Sequence, residues 1–129
     1  MTGPADRIGQ PYLEVDPSKV VAVVHTNEQD SETKVAAPDA ISQAIAGHVV
    51  EFFRSEVESG RMPADGLLPL QAGIGNVANA VLAGLAEGPF TGLTCYSEVI
   101  QDSMLDLIRQ GRVAHASATS LALSGAGLA

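Results

Sequence analysis

Apolar and polar positions follow one another in blocks along this chain, and the first blocks predict a strand, a loop and a helix. Residues 20–26 (VVAVVHT) form a continuous apolar, mostly β-branched run, which predicts a buried strand. Residues 27–37 are polar and charged and predict a surface loop. A helix then opens at Pro38, with Asp39 as its N-cap, and Gly60 ends it. Its apolar residues share helical spacing and form one stripe: Ile41, Ile45, Val49 and Phe52.

The second half of the chain continues the alternation of strands and helices. Short apolar runs predict three more strands: residues 67–71, 93–99 and 115–123. Periodic segments predict a helix over 77–86, capped by Asn76 and stopped at Gly88, and another over 101–110, ended by Gly111. The last helix is expected to turn three apolar side chains inward: Met104, Leu105 and Ile108.

This order of elements predicts an α/β fold, a three-layer αβα arrangement around a mostly parallel, Rossmann-like sheet. Right-handed crossovers place the helix N-termini at the carboxyl edge of the strands. Residues 1–19 contain several glycines and prolines without a period and are expected to form an N-terminal arm. Residues 20–129 are expected to form the α/β domain, truncated because no helix follows the last predicted strand.

Composition excludes several classes of function. The 129 residues carry 7 basic and 15 acidic side chains, a net charge of −8 that argues against binding nucleic acid or an anionic membrane. No apolar run approaches the roughly 20 residues that span a bilayer. A single cysteine, Cys95, allows no internal disulfide and predicts a cytoplasmic location. Without a nearby His or Lys it is expected to be a buried structural thiol, and no Cys/His cluster has the spacing of a metal site.

A glycine turn lies between a predicted strand and a predicted helix. Gly73 and Gly75 permit positive φ and a close backbone approach, and the following helix adds its positive N-terminal end. Such a turn can hold a thioester oxygen, a carboxylate or a phosphate. The alternative is a purely structural tight turn, because the third glycine of a dinucleotide fingerprint and the lysine of a P-loop are both missing.

Glu98 is the one acid in an otherwise apolar or neutral strand. A carboxylate there is costly to desolvate unless it is used or paired. As a nucleophile it could attack an acyl-CoA carbonyl, giving an acyl–glutamyl anhydride and then a glutamyl thioester. The alternative is a solvated acid at a strand end. Nearby, Gln101 and Asn79 are candidate orienting amides, with capping of the following helix as the alternative role for Gln101. Asp102 and Asp106 are expected to be surface acids.

Two segments together carry a family resemblance. Residues 73–82 (GIGNVANAVL), followed by residues 96–102 (YSEVIQD), closely resemble the acetyl-CoA hydrolase and acyl-CoA:carboxylate CoA-transferase family, especially its succinyl-CoA:acetate branch. Shorter stretches in the same order strengthen the resemblance: residues 7–12, 15–24, 45–53, 68–71 and 116–121. Ser97 and Ala72 depart conservatively from the usual threonine and serine.

The resemblance implies roles for particular residues. It assigns Glu98 as the catalytic glutamate that forms the enzyme–CoA thioester and passes CoA to a small carboxylate, or to water in a hydrolase. It also implies a loop that contacts CoA and the acyl group: Gly73, Ile74, Gly75, Asn76 and Val77. Coenzyme A is then a substrate, and no metal is required.

The resemblance also implies that the site is incomplete. Family members are longer, two-domain enzymes, and this chain is expected to be the opening part of the second, C-terminal catalytic domain. Its partners would be the remainder of the enzyme and a second copy in a homodimer, and the chain alone would be inactive. The rival hypothesis is a non-catalytic α/β module for an acidic ligand or for subunit contact, in which the turn is only structural.

Overall fold

The computed structural model describes residues 6–7, 9–28 and 37–128. A short 3-10 helix, Pro17–Lys19, is capped by the Asp16 carboxylate, which accepts a hydrogen bond from the Ser18 N–H. The expected N-terminal arm lies partly outside the described residues, and so does most of the loop predicted over 27–37. None of the described helices is long and apolar enough to cross a membrane.

The predicted buried strand over residues 20–26 is wrong. These residues are exposed and form no regular element, with Val21 99% exposed. β-branched side chains favour extended backbone, but a strand also needs a hydrogen-bonded neighbour and a surface that covers one face. Within the described residues this run has neither.

Helix α1, Ala40–Glu58, begins and ends as predicted. The Asp39 carboxylate accepts from the Ser42 N–H at 2.7 Å, and Gly60 follows the helix with a φ of 72°. The hydrogen bonds from Ser42 hold the pKa of Asp39 below its usual value.

The buried face of α1 is not the predicted apolar stripe, whose members Ile41, Ile45 and Phe52 are exposed. The neighbouring stripe faces the core instead, with Ser42 and Ala46 buried and larger side chains partly buried: Val50, Phe53 and Val57. Small residues lie here because α1 packs closely on the next helix. A Cβ at Gly84 of that helix would meet Val50 Cγ2 at 3.0 Å.

Helix α2, Asn76–Glu87, follows the glycine turn. Its N-cap is Gly75, and no side chain caps it, so the predicted capping role of Asn76 is wrong and Asn76 is the first helical residue. An extended Gly88 ends the helix, as predicted. Pro89 follows and cannot donate a hydrogen bond to continue it.

The strands are shorter than predicted and are divided differently. The segment expected at 67–71 contributes one parallel bridge, Leu70 to Cys95. The segments at 93–99 and 115–123 each divide in two. They give strands β1 (Leu93–Tyr96), β2 (Val99–Gln101), β3 (Val113–Ser117) and β4 (Ser120–Ala122). β1 pairs with β3 and β2 with β4, both in parallel. The break between β1 and β2 lies beside the break between β3 and β4, so strand pairing stops in one two-stranded sheet and resumes in the other.

Helix α3, Asp102–Arg109, and the short α4, Gly125–Leu128, complete the described elements. The expectation that no helix follows the last strand is wrong, because α4 comes after β4. Met104 of α3 is fully buried as predicted, and Leu107 is its second fully buried side chain, whereas Leu105 and Ile108 are half-buried. Met104 and Leu107 belong to a core with Leu85 and Leu93, and Ile108 packs against it. Helices over short parallel strands in open sheets confirm the predicted α/β class.

Alanine substitutions at two glycines are expected to change the free energy of unfolding in opposite directions, because only one of the two has a backbone conformation that favours glycine. Gly66 has a φ of 81°, and a Cβ there would lie 2.8 Å from the Gly92 carbonyl oxygen. Gly66→Ala is therefore expected to lower the free energy of unfolding by about 2 kcal/mol. Gly47 lies exposed within α1, and no neighbouring atom among the described residues lies within 4 Å of its Cβ position. Gly47→Ala is therefore expected to raise the free energy of unfolding by about 0.5–1 kcal/mol. Urea denaturation measures both, and shifts of the same sign would contradict the argument.

Candidate active site

The glycine turn leads from the Leu70 bridge into α2 and is open to solvent. Gly75 has a φ of 137°, a conformation that favours glycine. Apart from the adjoining residues, no atom of the described part of the chain lies within 4 Å of a Cβ built at Gly73 or Gly75. Ile74 is exposed, and Val77 is 42% exposed. Because no side chain caps α2, its first N–H groups are left for another acceptor.

Glu98 lies at the bend between β1 and β2, with its side chain exposed. Its own carbonyl oxygen accepts from the Thr119 N–H at 3.0 Å, the Ser120 N–H at 3.2 Å, Thr119 Oγ1 at 2.7 Å and the Ser120 hydroxyl. The backbone that carries the carboxylate is therefore fixed to the connection between β3 and β4.

An open cavity of about 280 Å³ surrounds Glu98. Its other lining residues are Gln71, Tyr96, Ser97, Ser117, Ala118 and Thr119. Five of these six residues carry a hydroxyl or amide group, which offers hydrogen-bond partners to a small polar substrate group such as a carboxylate.

Side chains on both sides of Glu98 attach its strand to the glycine turn. Ser97 Oγ donates to the Ala72 carbonyl oxygen at 3.0 Å, and Gln101 Nε2 donates to that of Gly73 at 3.0 Å. Two successive carbonyls at the start of the turn are thus held by the segment that carries the predicted nucleophile. These two hydrogen bonds connect the glycine turn to the segment that carries Glu98.

The predicted turn residues do not line the Glu98 cavity. Gly73 lines a separate apolar cavity of about 240 Å³, together with Val49, Phe53 and Leu70. Gln71 borders both cavities, so the two adjoin at the chain that enters the turn.

Sequence reasoning missed several residues of the Glu98 cavity, namely Gln71, Tyr96, Ser117 and Thr119. The period of two could have found Tyr96, because in the strand predicted over 93–99 it would share a face with Glu98. Ser117 is opposite Tyr96 in the parallel register, a pairing between distant segments that the local pattern does not reveal.

The other polar candidates divide into two groups. Gln101 is 3% exposed and contacts the turn, whereas Asn79, also buried, accepts from Ser103 Oγ at 2.7 Å and joins α2 to α3. Asp106 is exposed as predicted. Asp102 is half-buried, against prediction, because its carboxylate accepts from the Ser124 N–H at 3.2 Å.

The Cys95 thiol and the acidic side chains offer no rival chemistry in the described parts of the chain. Cys95 is 1% exposed, and burial raises the pKa of its thiol to about 11, so the predicted structural role is confirmed. No group of three or more His, Cys, Asp or Glu side chains among the described residues is arranged to hold a metal ion.

The raised pKa of Cys95 makes stability depend on pH in a defined direction. The unfolded thiol ionises near its ordinary pKa of 9.0, whereas the folded thiol stays neutral until about pH 11. The contribution of the buried neutral thiol to the free energy of unfolding is therefore fully present below pH 9 and is lost as the pH rises towards 11. We expect the Tm of the wild-type chain to fall more steeply over this interval than that of Cys95→Ala. Equal slopes in thermal melts would contradict the buried neutral thiol.

Comparisons with known proteins agree with the sequence motifs. The chain is 51% identical over 122 residues to an acetyl-CoA hydrolase of Saccharomyces cerevisiae, which covers 95% of this chain and 23% of the relative. It is 47% identical over 119 residues to a succinyl-CoA:acetate CoA-transferase of Clostridium kluyveri, which covers 92% of this chain and 22% of the relative. No family model matches the chain.

Among solved structures, that of a RipA point mutant superposes with a TM-score of 0.50 and 25% identity. The alignment covers 64% of this chain and 16% of that one. The chain thus spans about a quarter of the length of the curated relatives it matches. Over nearly all of its own length, the predicted resemblance to acetyl-CoA hydrolases and acyl-CoA:carboxylate CoA-transferases is confirmed.

Proposed function

We propose that this chain is the segment of an acyl-CoA:carboxylate CoA-transferase or acetyl-CoA hydrolase that carries the nucleophile, Glu98. The observation that carries the proposal is the position of this carboxylate. It is exposed at the bend between β1 and β2, within an open cavity, on a backbone whose carbonyl accepts four hydrogen bonds. A fixed backbone and an accessible carboxylate are what nucleophilic attack requires.

The proposed reaction begins with attack by a Glu98 carboxylate oxygen on the thioester carbonyl of acetyl-CoA or succinyl-CoA. Expulsion of the CoA thiolate leaves an acyl–glutamyl anhydride. The thiolate then attacks the glutamyl carbonyl, which releases the acyl group as a carboxylate and leaves Glu98 as a CoA thioester. An acceptor carboxylate such as acetate repeats these steps in reverse, whereas attack by water on the thioester completes hydrolysis.

The glycine turn is proposed to stabilise the oxyanions of these steps and to contact CoA, through Gly73, Ile74, Gly75, Asn76 and Val77. Support comes from the uncapped start of α2 and from the two hydrogen bonds that attach the turn to the Glu98 strand. In other enzymes, removing one donor of this kind costs roughly 3–4 kcal/mol of transition-state stabilisation.

Further parts of the proposal concern the rest of the enzyme. Because the chain spans about a quarter of its curated relatives, we propose that other segments complete the cleft. We also propose a homodimer, in the cytoplasm, as the single cysteine suggests. On this proposal the isolated 129 residues show no CoA transfer, because one wall of the cleft is absent. Measurable transfer by the isolated chain would contradict this.

The covalent step can be trapped directly. The full-length enzyme that contains this segment is treated with acetyl-CoA, reduced with borohydride or left unreduced, digested, and analysed by mass spectrometry. We expect a CoA thioester, or its reduced alcohol, on the peptide that contains Glu98. Glu98→Gln should abolish both the adduct and turnover.

Asp106→Asn is the matched control, since Asp106 is an exposed acid on the helix that follows the same strand. It should keep the adduct. If the wild-type enzyme forms no adduct at Glu98, the covalent proposal fails and the non-catalytic α/β module becomes the better interpretation.

A further inference from the structure

One buried polar atom next to the glycine turn has no partner among the described residues. Gln101 is 3% exposed, and its Nε2 donates to the Gly73 carbonyl oxygen at 3.0 Å. Its Oε1 is buried and accepts no hydrogen bond. A buried acceptor without a donor is destabilising, and native proteins retain few of them.

The amide cannot relieve this by turning over. Exchange of its two ends would place Oε1 against the Gly73 carbonyl oxygen, so that two acceptors would face each other. The bond from Nε2 to Gly73 therefore comes together with the unpartnered Oε1. An apolar side chain of similar size would fill the same space without that cost.

The hydrogen bond to the Gly73 carbonyl oxygen fixes the orientation of the whole Gly73–Ile74 peptide group. A peptide group is planar and trans, so its carbonyl and the following N–H point in opposite directions. By holding the Gly73 oxygen, Gln101 also fixes the direction of the Ile74 N–H. Ser97 acts in the same way on the preceding peptide, since its hydroxyl holds the Ala72 oxygen and thus sets the Gly73 N–H.

We propose that Gln101 is a positioning residue that holds the Gly73–Ile74 peptide, and with it the backbone of the turn, in one orientation next to the segment that carries Glu98. This inference rests on the proposed function of Glu98 and of the turn. Gln101 acts through the turn and does not touch the reacting atoms. The unpartnered Oε1 is the structural cost of this orientation.

Gln101→Met tests the proposal because it removes the hydrogen bond and the unpartnered oxygen together. In the full-length enzyme we expect the rate of Glu98–CoA adduct formation, and kcat, to fall roughly 10- to 100-fold, with little change in KM for acetyl-CoA. The Tm should be unchanged or higher. Gln43→Met is the matched control, since Gln43 is exposed on α1 and its amide also contacts a backbone carbonyl, that of Pro38 at 3.4 Å. It should alter neither the rate nor the Tm.

Gln101→Glu adds a readout that a merely structural role would not move. An ionised carboxylate cannot donate to the Gly73 oxygen, whereas the protonated acid can. The activity of Gln101→Glu relative to wild type should therefore rise as the pH falls. If Gln101→Met does not fold, the pH dependence of Gln101→Glu still tests the positioning role of Gln101.

The outcomes separate this inference from the function on which it rests. If the wild-type enzyme forms no Glu98 adduct, the proposed function fails, and NMR of the 129-residue chain still tests positioning. The order parameter of the Ile74 N–H should then be lower in Gln101→Met than in wild type. If wild type forms the adduct and Gln101→Met forms it at the same rate, the positioning role is overturned. A loss of Tm in proportion to the loss of rate, with no pH effect in Gln101→Glu, would also overturn it.

Discussion

The hydrogen bonds to the Glu98 carbonyl are the constraint on which the rest of the site depends. Thr119 and Ser120 donate to it from the chain that joins β3 to β4. β1 and β3 end at this level, and β2 and β4 begin just beyond it. The break between β1 and β2 therefore lies beside the break between β3 and β4, and hydrogen-bonded pairing resumes in a second sheet. A continuous strand would have alternated its side chains straight through position 98, whereas the bend leaves the carboxylate in an open cavity.

The glycine turn depends on a different kind of contact. Regular pairing stops at Leu70, so the backbone from Ala72 onwards is no longer held by strand hydrogen bonds. Side chains of the Glu98 strand take over, with Ser97 holding Ala72 and Gln101 holding Gly73. Glu98 and the turn are thus held by the same segment although they line different cavities. On the proposed function, this attachment fixes the turn relative to the carboxylate, as electrostatic stabilisation of a transition state requires.

The parts that the sequence predicted well are those decided by local chemistry. The Asp39 cap, the Gly60 end of α1, the glycine turn and the parallel α/β pattern follow from residues close together in the chain. The strand at residues 20–26 failed because pairing is a non-local property that β-branched composition cannot supply. The buried stripe of α1 failed for a related reason, since close packing on α2 favours Ser42 and Ala46 over the larger apolar side chains beside them. Likewise, nothing local distinguishes a glutamine that holds a distant carbonyl from one that caps a helix.

On the proposed function, the same nucleophile and the same donors serve both transfer and hydrolysis, so the choice between them must lie elsewhere. Both outcomes pass through a glutamyl–CoA thioester, and they differ only in whether a carboxylate or water reaches its carbonyl. Glu98 is exposed in the described structure, and its cavity is open. The hydroxyl-rich lining formed by Ser117 and Thr119 suits a carboxylate but would bind water equally well. Selection against water therefore has to come from whatever closes this cavity once the thioester has formed, and not from the residues that form it.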